Sequence, residues 1–342
     1  MNERSITLAA IRQAQATLGG RVHRTPMLAS RTAAAMVEAG SGVRLGAGPA
    51  DDDVPRLFVK AEHLQVSGSF KVRGAINRVA ALSEPERLRG VITASNGNHG
   101  QAVAYAGTAV GVPVTVVMPV VASPTKVAAT TGYGAQVILH GQHFGEALAR
   151  AQALSDEHAL TLIHAYDDPA VIAGQATVGL ELLEDLPEVD VIVVGAGGGG
   201  LVSGIASAVK AIRPSCHVYA VEPVGSDGLR RAVEAGHPVP ITPVTMADGL
   251  GAASAGDWTL AIAASQVDGF VVVGEATIAR GVVFALERMK QLLEPAGAAA
   301  LGAVLAGAIP IRDGATVACI ASGGNIDLQR LPEVMALAAS SD

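Results

Sequence analysis

The 342 residues hold only two cysteines, Cys216 and Cys319, far apart and without a CxxC pair. This excludes a disulfide framework and a cysteine zinc site, and it points to a reducing, cytoplasmic setting. Aromatic residues make up 3% of the chain, so alanine, valine and the 40 glycines must do most of the packing. Small side chains suit helices pressed closely onto a parallel sheet. Positive charge is in deficit, and the net charge of -7 argues against nucleic-acid binding. No apolar run reads as a bilayer span. The richest, at 191–212, is broken by glycines and carries Ser203, Ser207 and Lys210. The opening Met1-Asn2-Glu3-Arg4 lacks the apolar stretch of a signal peptide. The expectation is a protein that does not enter the membrane. Its length suggests two domains, or one large α/β unit with an insertion.

What is present is a repeated alternation of strand, loop and helix. A strand-like run at 56–64 leads through Gly68-Ser69-Phe70-Lys71-Val72-Arg73-Gly74 into a helical run at 75–82. A second series begins near residue 90 and alternates strands and helices for about 80 residues, enough for a small doubly wound unit. Its fourth strand is read at 160–164. A helix at 123–131 should be capped by Ser123 with Pro124 at its first position. Asp168-Pro169 opens another helix, and 275–293 reads as one long helix. The stretch 40–55 reads as a surface loop ending in Asp51-Asp52-Asp53. That triplet lacks the spacing and distant glutamate of a calcium loop and reads as solvated charge.

Four loops follow strands and carry chemistry. Lys71 lies between Phe70 and Val72, and an apolar setting lowers an amine's pKa toward the neutral form that adds to carbonyls. Gly197 to Gly200 precede a helix, where bare backbone N–H groups and the helix dipole favour a phosphate. Ser95-Asn96-Gly97-Asn98-His99 presents amides and a hydroxyl to a carboxylate or a phenolate oxygen. His99 reads as a structural histidine at a helix start, with no partner in sequence reach. Ser322-Gly323-Gly324-Asn325 follows the last strand. An amine, a phosphate nest and ring-polarising groups are the inventory of a pyridoxal phosphate site. A rival reading takes Gly195-x-Gly197-x-x-Gly200 with Glu222 as a dinucleotide fingerprint and the chain as an NAD-binding oxidoreductase. That reading leaves Lys71 and Asn98 without a task.

These motifs, with Pro169-Ala170-Val171-Ile172-Ala173-Gly174-Gln175, resemble those of the fold-type II pyridoxal phosphate enzymes. The resemblance is to the branch of threonine/serine dehydratases (ammonia-lyases) and serine racemases, and it spans nearly the whole chain. It implies an α/β fold of two doubly wound open-sheet domains, like the tryptophan synthase β chain. Residues 1–89 and 168–342 would form the large cofactor-binding domain, and 90–167 a small mobile one. It implies that Lys71 holds the cofactor as a Schiff base and that Phe70 packs on its ring. Asn98 would bond the ring's phenolate oxygen, and Gly197, Gly198, Gly199, Gly200 and Leu201 would wrap the phosphate. Gly249 would lie near the cofactor, Ser322 would face the pyridine nitrogen, and Ser95, Asn96, Gly97 and Asn98 would cradle the substrate carboxylate.

The implied reaction is β-elimination from L-threonine or L-serine, yielding a 2-oxo acid and ammonia. Racemisation, or dehydration of hydroxyaspartate or phenylserine, is the alternative. Asn96 stands where the similar racemases place a serine that acts as the opposite-face acid/base, and a carboxamide does not shuttle protons. The family's divalent-metal position is matched by Glu222 and Ser226, but Gly228 stands at its third place with Asp227 one residue early. No strong metal site is therefore expected. His164-Ala165-Tyr166 also departs from the more usual pattern. A homodimer or homotetramer is expected, without a regulatory domain and without feedback inhibition by isoleucine.

Overall fold

The computed structural model describes residues 4–49 and 53–340. Asp51 and Asp52 of the acidic triplet therefore lie outside the described residues. In chain order, helix α1 (Leu8–Leu18), strand β1 (Met27–Ser30), helix α2 (Arg31–Ser41) and strand β2 (Leu57–Lys60) lead to two 3-10 turns and then α3 (Lys71–Ala80). Next come α4 (Glu84–Arg89), β3 (Val91–Ala94), α5 (Asn98–Thr108), β4 (Val114–Met118), α6 (Pro124–Gly132) and β5 (Gln136–Leu139). After them run α7 (Phe144–His158), β6 (Thr161–Leu162), α8 (Pro169–Asp185), β7 (Val191–Gly195), α9 (Gly200–Ile212), β8 (His217–Pro223) and α10 (Gly228–Ala235). The chain ends with α11 (Asp257–Gln266), β9 (Gly269–Val273), α12 (Glu275–Phe284), α13 (Pro295–Leu305), β10 (Val317–Ile320) and α14 (Leu331–Ala338).

Two open sheets result. The larger has strand order β1-β2-β10-β7-β8-β9, parallel except for β1, which runs antiparallel beside β2. The smaller has order β5-β4-β3-β6 and is parallel throughout. Val191, Ile192, Val193 and Val194 of β7 are all buried, as are Val317 to Ile320 of β10. Continuous apolar runs of this kind belong to strands covered on both faces. The small sheet shares its core with α3: Val72, Ala75, Ile76 and Val79 pack with Val103, Val114 and Val116.

Small residues let the helices meet at the centre. A Cβ on Gly174 of α8 would lie 2.6 Å from the Cα of Gly74 in α3, so both helices need glycine at that crossing. Asp168 caps α8, accepting from Ala170 N at 2.7 Å and Val171 N at 3.1 Å, with Pro169 at the first position.

Several elements differ from the sequence reading. The run at 56–64 is strand only to Lys60, and the fourth small-sheet strand shrinks to Thr161–Leu162. The long helix at 275–293 stops early. It passes into a π turn, Ala285–Met289, and ends at Lys290 in the left-handed region at φ 60. Ser123 stands at the N-cap of α6 but makes no capping bond; its hydroxyl donates to Asp327 Oδ2 at 3.2 Å instead. Among the described residues, no helix is long and apolar enough to cross a membrane.

Candidate active site

In a parallel sheet the strand ends at one edge deliver their loops to a common crevice. β2, β7 and β10 of the larger sheet do this here, the loop after β3 comes from the smaller sheet, and backbone bonds draw the lysine loop to the one after β10. Phe70 N donates to Ser322 O at 3.1 Å, Gly324 N donates to Gly68 O at 2.9 Å, and Ser69 bridges Gly323. The lysine loop is thus paired directly with the 322–324 loop.

Lys71 Nζ donates to the backbone carbonyl of Ala165 at 2.9 Å and sits 5.1 Å from the Phe70 ring centroid. Removal from water pushes its ammonium down to about 8, against a smaller upward pull from Glu294. The neutral amine is then available near physiological pH. His99 is buried, with Nε2 3.2 Å from Ile163 O, and burial together with the Lys71 charge drives it down to about 3. It is a neutral, structural imidazole, as read from the sequence.

The turn at 164–167 joins Lys71 to the glycine run. His164 Nδ1 accepts from Asp167 N at 2.8 Å, and Tyr166 lies against Gly198 and Gly200, where any Cβ would strike it. A Cβ on Gly197 would meet the backbone of Leu250 at 2.8 Å. Gly199 adopts φ 91 at the N-cap of α9. The backbone N–H groups of Gly198, Gly199, Gly200 and Leu201 find no acceptor among the described residues. Four such donors at a helix N-terminus fit a phosphate.

Asn98 Nδ2 donates to Glu294 Oε1 at 2.5 Å, and its Oδ1 accepts from Asn325 Nδ2 at 2.8 Å. Glu294 is held above the usual carboxylate range by burial, opposed by the Asn98 hydrogen bond. Ser322 is buried, with its hydroxyl 3.4 Å from Ala296 O. Gly249 stands against Ala296 and Glu294. Ser95 Oγ accepts from Gly97 N at 3.2 Å, shaping the loop before α5. A cavity of about 190 Å³ opens beside these groups, lined by Asn96, Ser123, Lys126, Gly249, Glu294 and Asn325 among others. The residues picked from the sequence are brought together. Glu294 is not among those picked, and Ala165 and Tyr166 figure there only as a departure from the usual pattern. Glu294 reads locally as the residue before a helix-opening proline, and only the fold reveals its contact with Asn98.

The dinucleotide reading fails on Glu222. Its two carboxylate oxygens cap α10, accepting from Leu229 N and Arg230 N at 2.9 Å each, and the residue is fully buried. It is closed to a ribose hydroxyl. The same bonds occupy the first of the weak metal candidates, whose carboxyl burial pushes up to about 7. Ser226 Oγ donates to Leu250 O at 2.8 Å, and Asp227 is held by Arg230 and Arg231 at 2.5 and 2.7 Å.

The model of the pyridoxal-phosphate dependent enzyme family matches residues 43–323. The chain belongs to that family. This pyridoxal-phosphate dependent enzyme is 40% identical over 331 residues to the L-threonine ammonia-lyase of Thermotoga maritima, covering 96% of this chain and 78% of that one. The structure of maize serine racemase superposes with a TM-score of 0.86 at 36% identity, covering 97% of this chain and 99% of that one. The processed form of threonine deaminase isoform 2 from Solanum lycopersicum superposes with a TM-score of 0.86 at 31% identity, covering 99% of this chain and 96% of that one. The fold is therefore that of fold-type II pyridoxal phosphate enzymes, with two open α/β sheets, and the chain is a pyridoxal phosphate-dependent lyase. Lys71, Asn98, the unpaired N–H groups at 198–201 and Ser322 form a set into which that cofactor fits.

Proposed function

We propose that this enzyme removes water and ammonia from L-threonine and L-serine, leaving a 2-oxo acid. The observation that carries the reading is Lys71 Nζ, an amine lowered to about 8 and bonded to the Ala165 carbonyl, in the turn whose Tyr166 lies against Gly198 and Gly200, on the loop that pairs with 322–324. Once bound, the cofactor supplies the electron sink that makes an amino acid's Cα proton acidic. Lys71 would hold the cofactor covalently, and its amine is the group placed to take that proton. Gly197, Gly198, Gly199, Gly200 and Leu201 bind the phosphate through backbone N–H groups. Phe70 would flank the ring, Asn98 would donate to its phenolate oxygen, and Gly249 would lie beside it.

Ser322 would face the pyridine nitrogen. A hydroxyl there would not support a full positive charge on the ring as a carboxylate would. Ser95, Asn96, Gly97 and Asn98 orient the substrate carboxylate. Residues 90–167, which carry the four-stranded sheet, serve as the small domain, and 1–89 with 168–342 as the large one. We infer a cytoplasmic homo-oligomer; the two buried free thiols accord with a reducing setting.

A substrate panel tests this reading. Release of 2-oxo acid from threonine and serine should exceed that from hydroxyaspartate and phenylserine. L-Serine should yield no D-serine, because Asn96 offers no proton shuttle. Preference for hydroxyaspartate, or rapid formation of D-serine, would redirect the assignment. The amine also sets a pH dependence. Below about pH 8 the rate at which cofactor-free protein captures pyridoxal phosphate should rise roughly tenfold per unit, then level off as the amine becomes fully neutral. Stopped-flow absorbance measures it; a rate flat across that range would place the controlling ionisation elsewhere.

A further inference from the structure

Four groups in the site form a hydrogen-bonded row with a single solution. Asn325 Nδ2 donates to the backbone carbonyl of Ser67 at 2.7 Å and to Asn98 Oδ1 at 2.8 Å. Asn98 Nδ2 in turn donates to Glu294 Oε1 at 2.5 Å. The two ends of an asparagine amide are alike in shape, so only their partners can fix which way each points. Here the partners suffice. A backbone carbonyl only accepts, so Asn325 must turn its nitrogen toward Ser67. That nitrogen carries two hydrogens, and the second reaches Asn98. Asn98 must therefore show oxygen to Asn325 and nitrogen to Glu294. Glu294 accepts there whether its carboxyl is ionised or neutral, because a neutral carboxyl keeps a carbonyl oxygen.

The row is anchored in the lysine loop. Ser67 and Gly68 both have positive φ, 62 and 73, immediately before Ser69, Phe70 and Lys71. A Cβ on Gly68 would strike the Asn325 amide. The turn that displays Lys71 and the amide that orients Asn98 are therefore in direct contact. Asn98 Nδ2 has two hydrogens and one acceptor among the described residues, so one N–H is left over.

We propose that Asn325 and Glu294 are positioning residues that hold the Asn98 carboxamide in the one orientation leaving an N–H for the phenolate oxygen of the cofactor ring. The inference rests on the assignment of Asn98 to that oxygen. It is tested on wild-type holoenzyme and the variants Asn325→Asp, Glu294→Leu and Glu294→Gln. The readouts are the absorption spectrum of the bound cofactor against pH and the cofactor dissociation constant from fluorescence titration.

In Asn325→Asp a carboxylate repels the Asn98 oxygen and accepts from its nitrogen, so the amide turns over. The visible band should shift, and the dissociation constant should rise about tenfold, the worth of one hydrogen bond to a charged group. Glu294→Leu should do the same. Glu294→Gln keeps an acceptor oxygen and should stay within about twofold of wild type, since no hydrogen bond is lost. Melting of the cofactor-free proteins checks folding, and Asn325→Ala, which removes the donor without adding charge, replaces Asn325→Asp should that variant not fold. An unaltered band and dissociation constant in the Asn325 variant would overturn the proposal, as would a Glu294→Gln protein that behaves like Glu294→Leu. Borohydride reduction of wild type tests the parent assignment separately. No pyridoxyl adduct on Lys71 defeats the site itself, whereas an adduct beside an unaffected Asn325 variant defeats only the positioning role.

Discussion

Replacing Lys71 by alanine lowers kcat/KM for 2-oxo acid release by at least about a thousandfold, because a positioned acid/base worth about 10² to 10⁴ is lost together with the covalent anchor. The size of the loss follows from the lack of a substitute. His99 is close enough to feel the Lys71 charge, but it is buried, with Nε2 3.2 Å from Ile163 O, and its pKa is driven down to about 3, which makes it a weak base. Glu294 is engaged by Asn98. Among the described residues Lys126 also lines the cavity, but its ammonium pairs with Asp248 at 3.3 Å, and Lys60 is fully buried in an ion pair with Glu181. The unpaired N–H groups at 198–201 remain in the variant, so pyridoxal phosphate should still bind, without a borohydride-stable link. Tryptic mass analysis and steady-state assay of the same preparation give both answers. Undiminished turnover would remove Lys71 from the chemistry.

The parts of this site that are legible in the sequence are those where backbone demands dictate residue type. Four glycines between a strand and a helix are needed because Leu250 and Tyr166 press on Gly197, Gly198 and Gly200 and because Gly199 adopts φ 91. Asp168-Pro169 announces a helix start because its capping bonds are local. Serine at 83 with glutamate at 86 carries a similar local signal for α4, a capping box that the sequence expectations lack. Other features have no local signal. Helix α11 is capped by Asp167, about ninety residues away, which accepts from Asp257 N, Trp258 N and Thr259 N. Strand β1 is four residues long and exists only because β2 offers it an antiparallel edge. The arrest of α12 at Lys290 depends on a π turn, not on a glycine or proline. Glu294 belongs to this group: its meaning lies in a contact across 196 positions.

Arg73→Met should destabilise the fold by about 3 to 5 kcal/mol, the usual cost of leaving a buried charge without its partner. Arg73 is fully buried two residues after Lys71. Its Nε and one terminal nitrogen bond both oxygens of Glu62, at 2.8 and 2.7 Å, and it reaches both oxygens of Glu181 at 2.7 and 2.9 Å. Glu62 is itself fully buried and also accepts from Thr25 Oγ1 at 2.5 Å. Burial pushes its carboxyl up, but the opposing pull of Arg73 is strong enough to hold it below its ordinary value. Glu62 and Arg73 stand at the two ends of the loop that displays Lys71, so one ion pair clamps both stems and ties them to α8 through Glu181. In the variant Glu62 loses that pull and takes up a proton more readily. The sign of the pH effect follows. In wild type the stability gained from ionised Glu62 is present above its unfolded pKa and is lost as pH falls through the folded value. The variant lacks that gain, so the gap between the two proteins is widest near neutrality and narrows in acid. An apparent melting temperature lower by roughly 6 to 10 °C at neutral pH corresponds to this loss at about 2 °C per kcal/mol. The double variant Glu62→Gln/Arg73→Met should recover part of it, since the stranded carboxylate is gone. A single variant that melts with wild type, or a gap that grows toward acid, would show that the clamp does not hold the loop.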